Sequence, residues 1–144
     1  MIKILLGNAP PAPKAPIEAT PAMIALGKAL YHSEKLSQKD NISCASCHDL
    51  SNYGVDNKVT SPGSTGENGT RNAPTTYNAA RNFRQFWDGR AESVEDQAML
   101  PLLNPIEHGF ADAAAVVAKI NGQPDLVAGF KKAFPDGEAP VNAK

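Results

Sequence analysis

The chain has only two cysteines, one tryptophan and three histidines in 144 residues, and no apolar run approaching the ~18 residues of a membrane-spanning helix. Aromatic residues make up 6% of it, against 11 glycines and 12 prolines. So few large apolar side chains build a thin core, and something other than side chains is expected to fill part of it. Neither sign of charge is in excess: 14 Lys and Arg against 15 Asp and Glu give a formal net charge of -1. Without a basic run, nucleic acid is not an expected partner. Period-two alternation is also missing, which argues against a sheet.

The two cysteines stand together in Cys44-Ala45-Ser46-Cys47-His48. Two thiols at that spacing followed at once by an imidazole form the attachment signature of a c-type haem. One turn of backbone brings both sulfurs to neighbouring vinyl groups, and His48 then points a ring nitrogen at the iron as its proximal ligand. Two other readings stay open. A thioredoxin-like disulfide uses the same Cys-x-x-Cys, but it expects a βαβ context that nothing before Cys44 supplies. A zinc clip needs four ligands, and His32, His48 and His108 lack the paired spacing of a finger.

The pattern of the rest predicts an all-α domain, helices and long loops around one covalent haem. Met1 to Leu6 is too short for a complete signal peptide. Attachment of this kind nevertheless implies export, so a periplasmic location with the leader already gone is expected. Pro10, Pro11, Pro13 and Pro16 make residues 1–19 an extended tether, and residues 20–144 are expected to form one domain. Thr20 caps and Pro21 opens a first helix, on which Met23, Ile24, Leu26, Leu30 and Tyr31 recur at helical spacing. Ser43 to Leu50 is the attachment turn, and Tyr53 to Arg71 is a polar loop long enough to suggest a ligand-covering role. Further helices are predicted from Ser93 to a stop at Pro101, from Ala111 to Ile120, and from Pro124 to Phe134.

Beyond the haem signature, the chain resembles the bacterial di-haem cytochrome c peroxidases and their peroxide-using relatives. The resemblance runs from Leu26-Gly27-Lys28-Ala29-Leu30-Tyr31 and Leu36-Ser37 through Cys44 to His48 and Arg71-Asn72-Ala73-Pro74-Thr75. It continues in Phe86-Trp87-Asp88-Gly89-Arg90-Ala91-Glu92-Ser93, Gln97 and Pro101-Leu102-Leu103-Asn104-Pro105-Ile106-Glu107. Family members have two haem domains, and this chain is similar to the first. The resemblance implies reduction of hydrogen peroxide, with electrons from a second haem domain, a small cytochrome c or a copper protein. A homodimer is a further possible assembly. It also implies that Trp87 lies on the electron route, that Gln97 and Glu107 line the peroxide-reactive side, and that Asn72 helps hold a calcium ion.

Those positions make chemical sense. Heterolytic cleavage of an O–O bond needs an open iron position, a group that moves a proton between the oxygens, and a polar contact that orients the ligand. Glu107 suits the second task and Gln97 the third. Arg90 and Arg71 are candidates to pair with haem propionates, with a surface salt bridge as the plainer alternative. Two departures from the family pattern stand out. Many members read Ser-x-Gly-His before Arg-Asn, the His being a displaceable iron ligand; here the stretch is Ser61-Pro62-Gly63-Ser64. Serine is a poor haem ligand, so an iron without that cap is expected. After Glu107 the family commonly has Met, and His108 in its place becomes a second, weaker candidate for iron ligation. The competing function is a single-haem electron carrier with His48 and Met99 as axial ligands.

Overall fold

The computed structural model describes residues 18–137, so most of the expected tether lies outside the described residues. Among the described residues five α-helices run in order: α1 Pro21–His32, α2 Cys44–Cys47, α3 Val94–Leu103, α4 Ala113–Asn121 and α5 Pro124–Ala133. Three short 3-10 turns, Glu34–Leu36, Leu50–Asn52 and Ala79–Arg81, punctuate the loops between them. Pairing between extended segments is confined, among the described residues, to isolated bridges at Pro62 with Asn68 and Gln85 with Ala91. Among the described residues the chain adopts the expected helical class, with no sheet.

Local chemistry explains where the helices begin. Thr20 accepts from the Met23 amide at 3.2 Å at the head of α1, and Ser93 accepts from Asp96 at 3.0 Å at the head of α3. Asp112 does the same for α4, receiving the Ala115 amide at 2.8 Å. That cap sets the start of α4 at Ala113, two residues later than apolar spacing alone suggests.

The predicted stop at Pro101 does not occur; α3 continues to Leu103. Proline lacks an amide hydrogen but has helical φ, and the chain that returns after the helix satisfies the carbonyls at its end. The His108 amide donates to Pro101 O at 3.3 Å and the Phe110 amide to Leu102 O at 3.0 Å. The returning loop thereby becomes the cap of α3.

α1 packs across α5 and touches α2, while α4 is wedged between α5, α3 and the Glu34–Leu36 turn. Gly129 on α5 admits this crossing, since a Cβ there would sit 3.1 Å from Leu26 Cδ1. Leu36, Phe110, Val116, Ile120 and Leu126 form the buried cluster, backed by Leu30, Met99, Leu102, Leu103 and Phe130. Ile24 was expected on the packed stripe of α1 but is 63% exposed, because it lies about 200° around the helix from Leu26. Of the aromatic residues Phe110 lies in the core and Phe130 packs against it, whereas Phe83, Tyr53 and Trp87 are exposed, Phe83 to 94%.

Candidate functional site

The attachment turn is built from its own polar side chains. Ser43 and Ser46 form a reciprocal capping box around α2, with the Ser43 amide donating to Ser46 Oγ at 2.9 Å. Cys44 and Cys47 sit one turn apart on this helix, both half-buried and not joined in a disulfide. Burial pushes both thiols above the ordinary cysteine range. A thioredoxin-like site needs a depressed thiol pKa, so this environment speaks against that reading.

His48 follows directly, and its ring orientation is fixed from behind. Nδ1 lies 3.0 Å from Pro74 O and 3.3 Å from Gly54 O, so Nδ1–H donates to backbone carbonyls. Nε2 is then the unprotonated nitrogen, the tautomer an axial iron ligand requires. The segment after Pro74 clamps the whole turn. Tyr31 donates its hydroxyl to His48 O at 2.6 Å and meets Thr76 Oγ1 at 3.2 Å; Tyr77 donates to Leu50 O. Thr75 donates to Tyr53 O at 2.5 Å, and a Cβ on Gly54, at φ +73°, would stand 2.7 Å from Thr76 Oγ1.

Glu107 occupies a second, equally well-tied loop. Its carboxylate accepts from Asn104 Nδ2 at 2.9 Å, while Asn104 Oδ1 accepts the Ile106 amide at 3.0 Å. Burial raises the Glu107 carboxyl above the ordinary range, with Arg90 and the Asn104 amide opposing it. On one side the 61–69 loop docks: the Ser64 amide donates to Glu107 O at 2.7 Å, and Gly63 lies so close that a Cβ would overlap Ile106 O. Ser64, 2% exposed, gives its hydroxyl to Asn41 Oδ1 at 2.8 Å and accepts Asn41 Nδ2 on its carbonyl at 2.9 Å.

On the other side lies His108, 5% exposed. Its Nδ1 is 2.5 Å from Leu36 O, so Nδ1–H is the donor; burial, the dominant effect, holds its pKa below the usual histidine range. The imidazole is therefore neutral and committed to the backbone of the turn that follows α1.

Trp87 stands at the tip of a tight turn closed by the Gln85 amide on Ala91 O at 2.9 Å, with Phe86 and Gly89 both at positive φ. It is 65% exposed and donates Nε1–H to Asn72 O at 2.8 Å. Arg71 and Arg90 converge on Asp88, at 2.7 Å and 2.9 Å, and hold its carboxyl down to about 2. Arg90 also stacks 3.4 Å from the Phe86 ring centroid. The plainer alternative for both arginines, a surface salt bridge, is thus the arrangement present. Asn72 gives Nδ2 to Lys58 O at 2.6 Å, leaving Oδ1 as its available side-chain ligand. Among the described residues no cluster of three or more His, Cys, Asp or Glu is arranged for a metal ion. Gln97 is half-buried on the first turns of α3. His32 is exposed, as expected.

Glu107 is within electrostatic reach of Cys47 and, separately, of Arg90, which brings the attachment turn and the Glu107 loop near each other. Asn41, Gly63, Pro74 and Asn104 complete the site, and sequence reasoning missed all four as scaffold. Asn104, Pro74 and Gly63 carried a signal only as members of the sequence motifs, and Asn41 carried none. The remaining contributions are backbone approaches that a side-chain pattern does not encode.

The residues fit a covalently held haem. Two unbridged sulfurs one turn apart precede an imidazole whose free nitrogen is fixed by tautomer. Near Cys47, Asp56 Oδ2 is buried without a hydrogen-bond partner among the described residues. The apolar core is thin, which leaves room for a large flat cofactor to complete it. A helical domain with this turn has the site of a cytochrome-type haem protein.

Comparison with known proteins narrows that class. Residues 21–144 match the family model described as di-haem cytochrome c peroxidase; the chain belongs to that family, for which haem c is the implied cofactor. It is 46% identical over 114 residues to cytochrome c peroxidase Ccp of Escherichia coli, covering 79% of this chain and 24% of that protein. It is 38% identical over 141 residues to the cytochrome c551 peroxidase of Nitrosomonas europaea, covering 96% and 42%. Methylamine utilization protein MauG of Paracoccus denitrificans is 36% identical over 138 residues, with coverage of 83% and 36%. Among solved structures, a MauG-like protein associated with microbial copper homeostasis superposes with TM-score 0.79 at 29% identity, covering 93% of this chain and 40% of that one. The diheme peroxidase BthA from Burkholderia thailandensis gives TM-score 0.73 at 29% identity, with coverage of 83% and 34%. The chain spans less than half the length of each of these relatives.

Proposed function

We propose that the chain is a haem domain that reduces hydrogen peroxide, with Cys44 and Cys47 as thioether anchors and His48 as the axial ligand. The overall reaction consumes two electrons and two protons per peroxide and yields two waters. Bound haem would supply the redox equivalents and an open coordination position for peroxide. The protein residues supply the rest. Glu107 would take a proton from one peroxide oxygen and return it to the other as water leaves. Gln97 orients the ligand, and Trp87, exposed at its turn tip, receives electrons from the partner. That partner is a second haem domain, a small cytochrome c or a copper protein, with a homodimer as another assembly. Arg71 and Arg90 are proposed to reach haem propionates by exchanging with Asp88, and Asn72 Oδ1 to contribute to a calcium site. Haem attachment of this type supports a periplasmic location; no described helix is long and apolar enough to cross a membrane.

The observation that carries this reading is Glu107, half-buried, anchored by Asn104 and close to the attachment turn. The electron-carrier alternative is not favoured. Met99 packs against the apolar core, and the family is one of peroxidases. Glu107→Gln keeps the shape and the Asn104 contact but cannot carry a proton. Steady-state peroxide reduction by the haem-loaded variant should fall about 10²- to 10⁴-fold with the haem spectrum retained. An unimpaired rate would remove Glu107 from the chemistry.

A further inference from the structure

His108 is tied down by every polar group it uses in the fold. Its Nδ1–H donates to Leu36 O at 2.5 Å, its carbonyl accepts the Gln38 amide at 2.9 Å, and its own amide donates to Pro101 O at 3.3 Å. Two of these bonds reach the 36–38 segment, about seventy residues away in sequence, and the third closes α3. Glu107 is the next residue along the chain. Its opposite face is closed by the Ser64 amide on Glu107 O at 2.7 Å and by the Gly63 backbone. Gly109, at φ +83°, turns the chain immediately after His108, and its amide returns to Asn104 O at 2.9 Å.

A buried imidazole is a costly way to fill space that an apolar side chain would fill without a polar group to satisfy. The bond to Leu36 O answers that cost, and it also gives the Glu107 backbone a fixed point on the side where the 61–69 loop does not reach. We propose that His108 is a positioning residue for Glu107, acting through the Nδ1–H bond to Leu36 O rather than as an iron ligand. The inference rests on Glu107 being the proton carrier, but the imidazole latch itself is testable without turnover.

Two substitutions separate the bond from the volume. Asparagine places Nδ2 near the position of Nδ1 and keeps a donor for Leu36 O; leucine fills the space and has none. In the haem-loaded full chain, amide hydrogen exchange read by NMR should show Gln38 losing protection about 10-fold or more in His108→Leu and recovering it in His108→Asn. Peroxide turnover should follow the same order: kcat down about 10-fold or more in the leucine variant with KM for the electron donor unchanged, and within about 3-fold of wild type in the asparagine variant. The ferric spectrum should be the same in all three proteins.

Unchanged Gln38 protection in His108→Leu would overturn the latch. Equal impairment of the two variants would overturn the role of the hydrogen bond. A change of spin state on both substitutions would show that His108 binds iron and overturn the proposal. Restored Gln38 protection in His108→Asn with no turnover in any protein, wild type included, would sink the peroxidase reading and leave the latch standing.

Discussion

At the scale of single residues, the site depends on two imidazoles held the same way for different ends. His48 and His108 both give Nδ1–H to backbone carbonyls, at 3.0 Å to Pro74 O and 2.5 Å to Leu36 O. The first was legible in the sequence because Cys-x-x-Cys-His fixes its neighbours covalently. The second was legible only as an oddity beside Glu107, since its partner lies 72 residues away. Glu107 carries a pH consequence. Its carboxyl is raised chiefly by burial, and a proton acceptor must be ionised to work. Activity should therefore fall on acidification at a pH above the ordinary carboxylate range of about 4.3. The pH dependence of kcat/KM for peroxide is the measurement, and an acid limb at or below that range would contradict the buried environment. The same shift makes Glu107 mildly destabilising in its ionised form: its folded pKa exceeds the unfolded one, so stability is lost as pH rises between them. Asp88 has the opposite sign, with its contribution present above the ordinary carboxylate range and lost as pH falls toward about 2.

Among the elements, helices were readable and their junctions were not. Thr20, Pro21, Pro124 and Ser93 announced three starts, because capping and proline at the first turn act within a few residues. Pro101 misled because the helix runs on past it to an end whose carbonyls, Pro101 O and Leu102 O, are taken by amides of His108 and Phe110, a tertiary arrangement beyond the range of any local rule. Ile24 misled because two apolar residues close in sequence face opposite ways on a helix. The segment from Pro74 to Tyr77, which holds the attachment turn, has no periodic signature; it works through hydroxyls and carbonyls on an irregular backbone. Gly54 is the tightest point of that junction, with φ +73° and no room for a Cβ against Thr76. Gly54→Ala should destabilise the haem-loaded protein by about 1–3 kcal/mol, measured by denaturant unfolding. A loss below a few tenths would mean that the junction yields easily.

For the molecule as a whole, the thin core and the docked loops point the same way. The buried cluster of Leu36, Phe110, Val116, Ile120 and Leu126 lies among α4, α5 and the turns beside them, whereas the attachment turn is held mainly by hydrogen bonds. Scarce aromatics in the sequence anticipated this, although not that Phe83, Tyr53 and Trp87 would stand exposed. Nothing in composition could have placed the 61–69 loop. It is docked on Glu107, with the Ser64 hydroxyl spent on Asn41, at the position where the family resemblance leads one to expect a displaceable histidine. Met99 is packed in the core and His108 is bonded to Leu36 O, so neither is free for the iron in this arrangement. The central claim is therefore that His48 is the sole protein ligand and that peroxide needs no ligand to leave first. The ferric optical and EPR spectra of the haem-loaded chain test this most directly. The account predicts high-spin or water-ligated iron that reacts with peroxide without prior reduction of its own iron; wholly low-spin iron with two protein ligands, bis-histidine or His/Met, would contradict it.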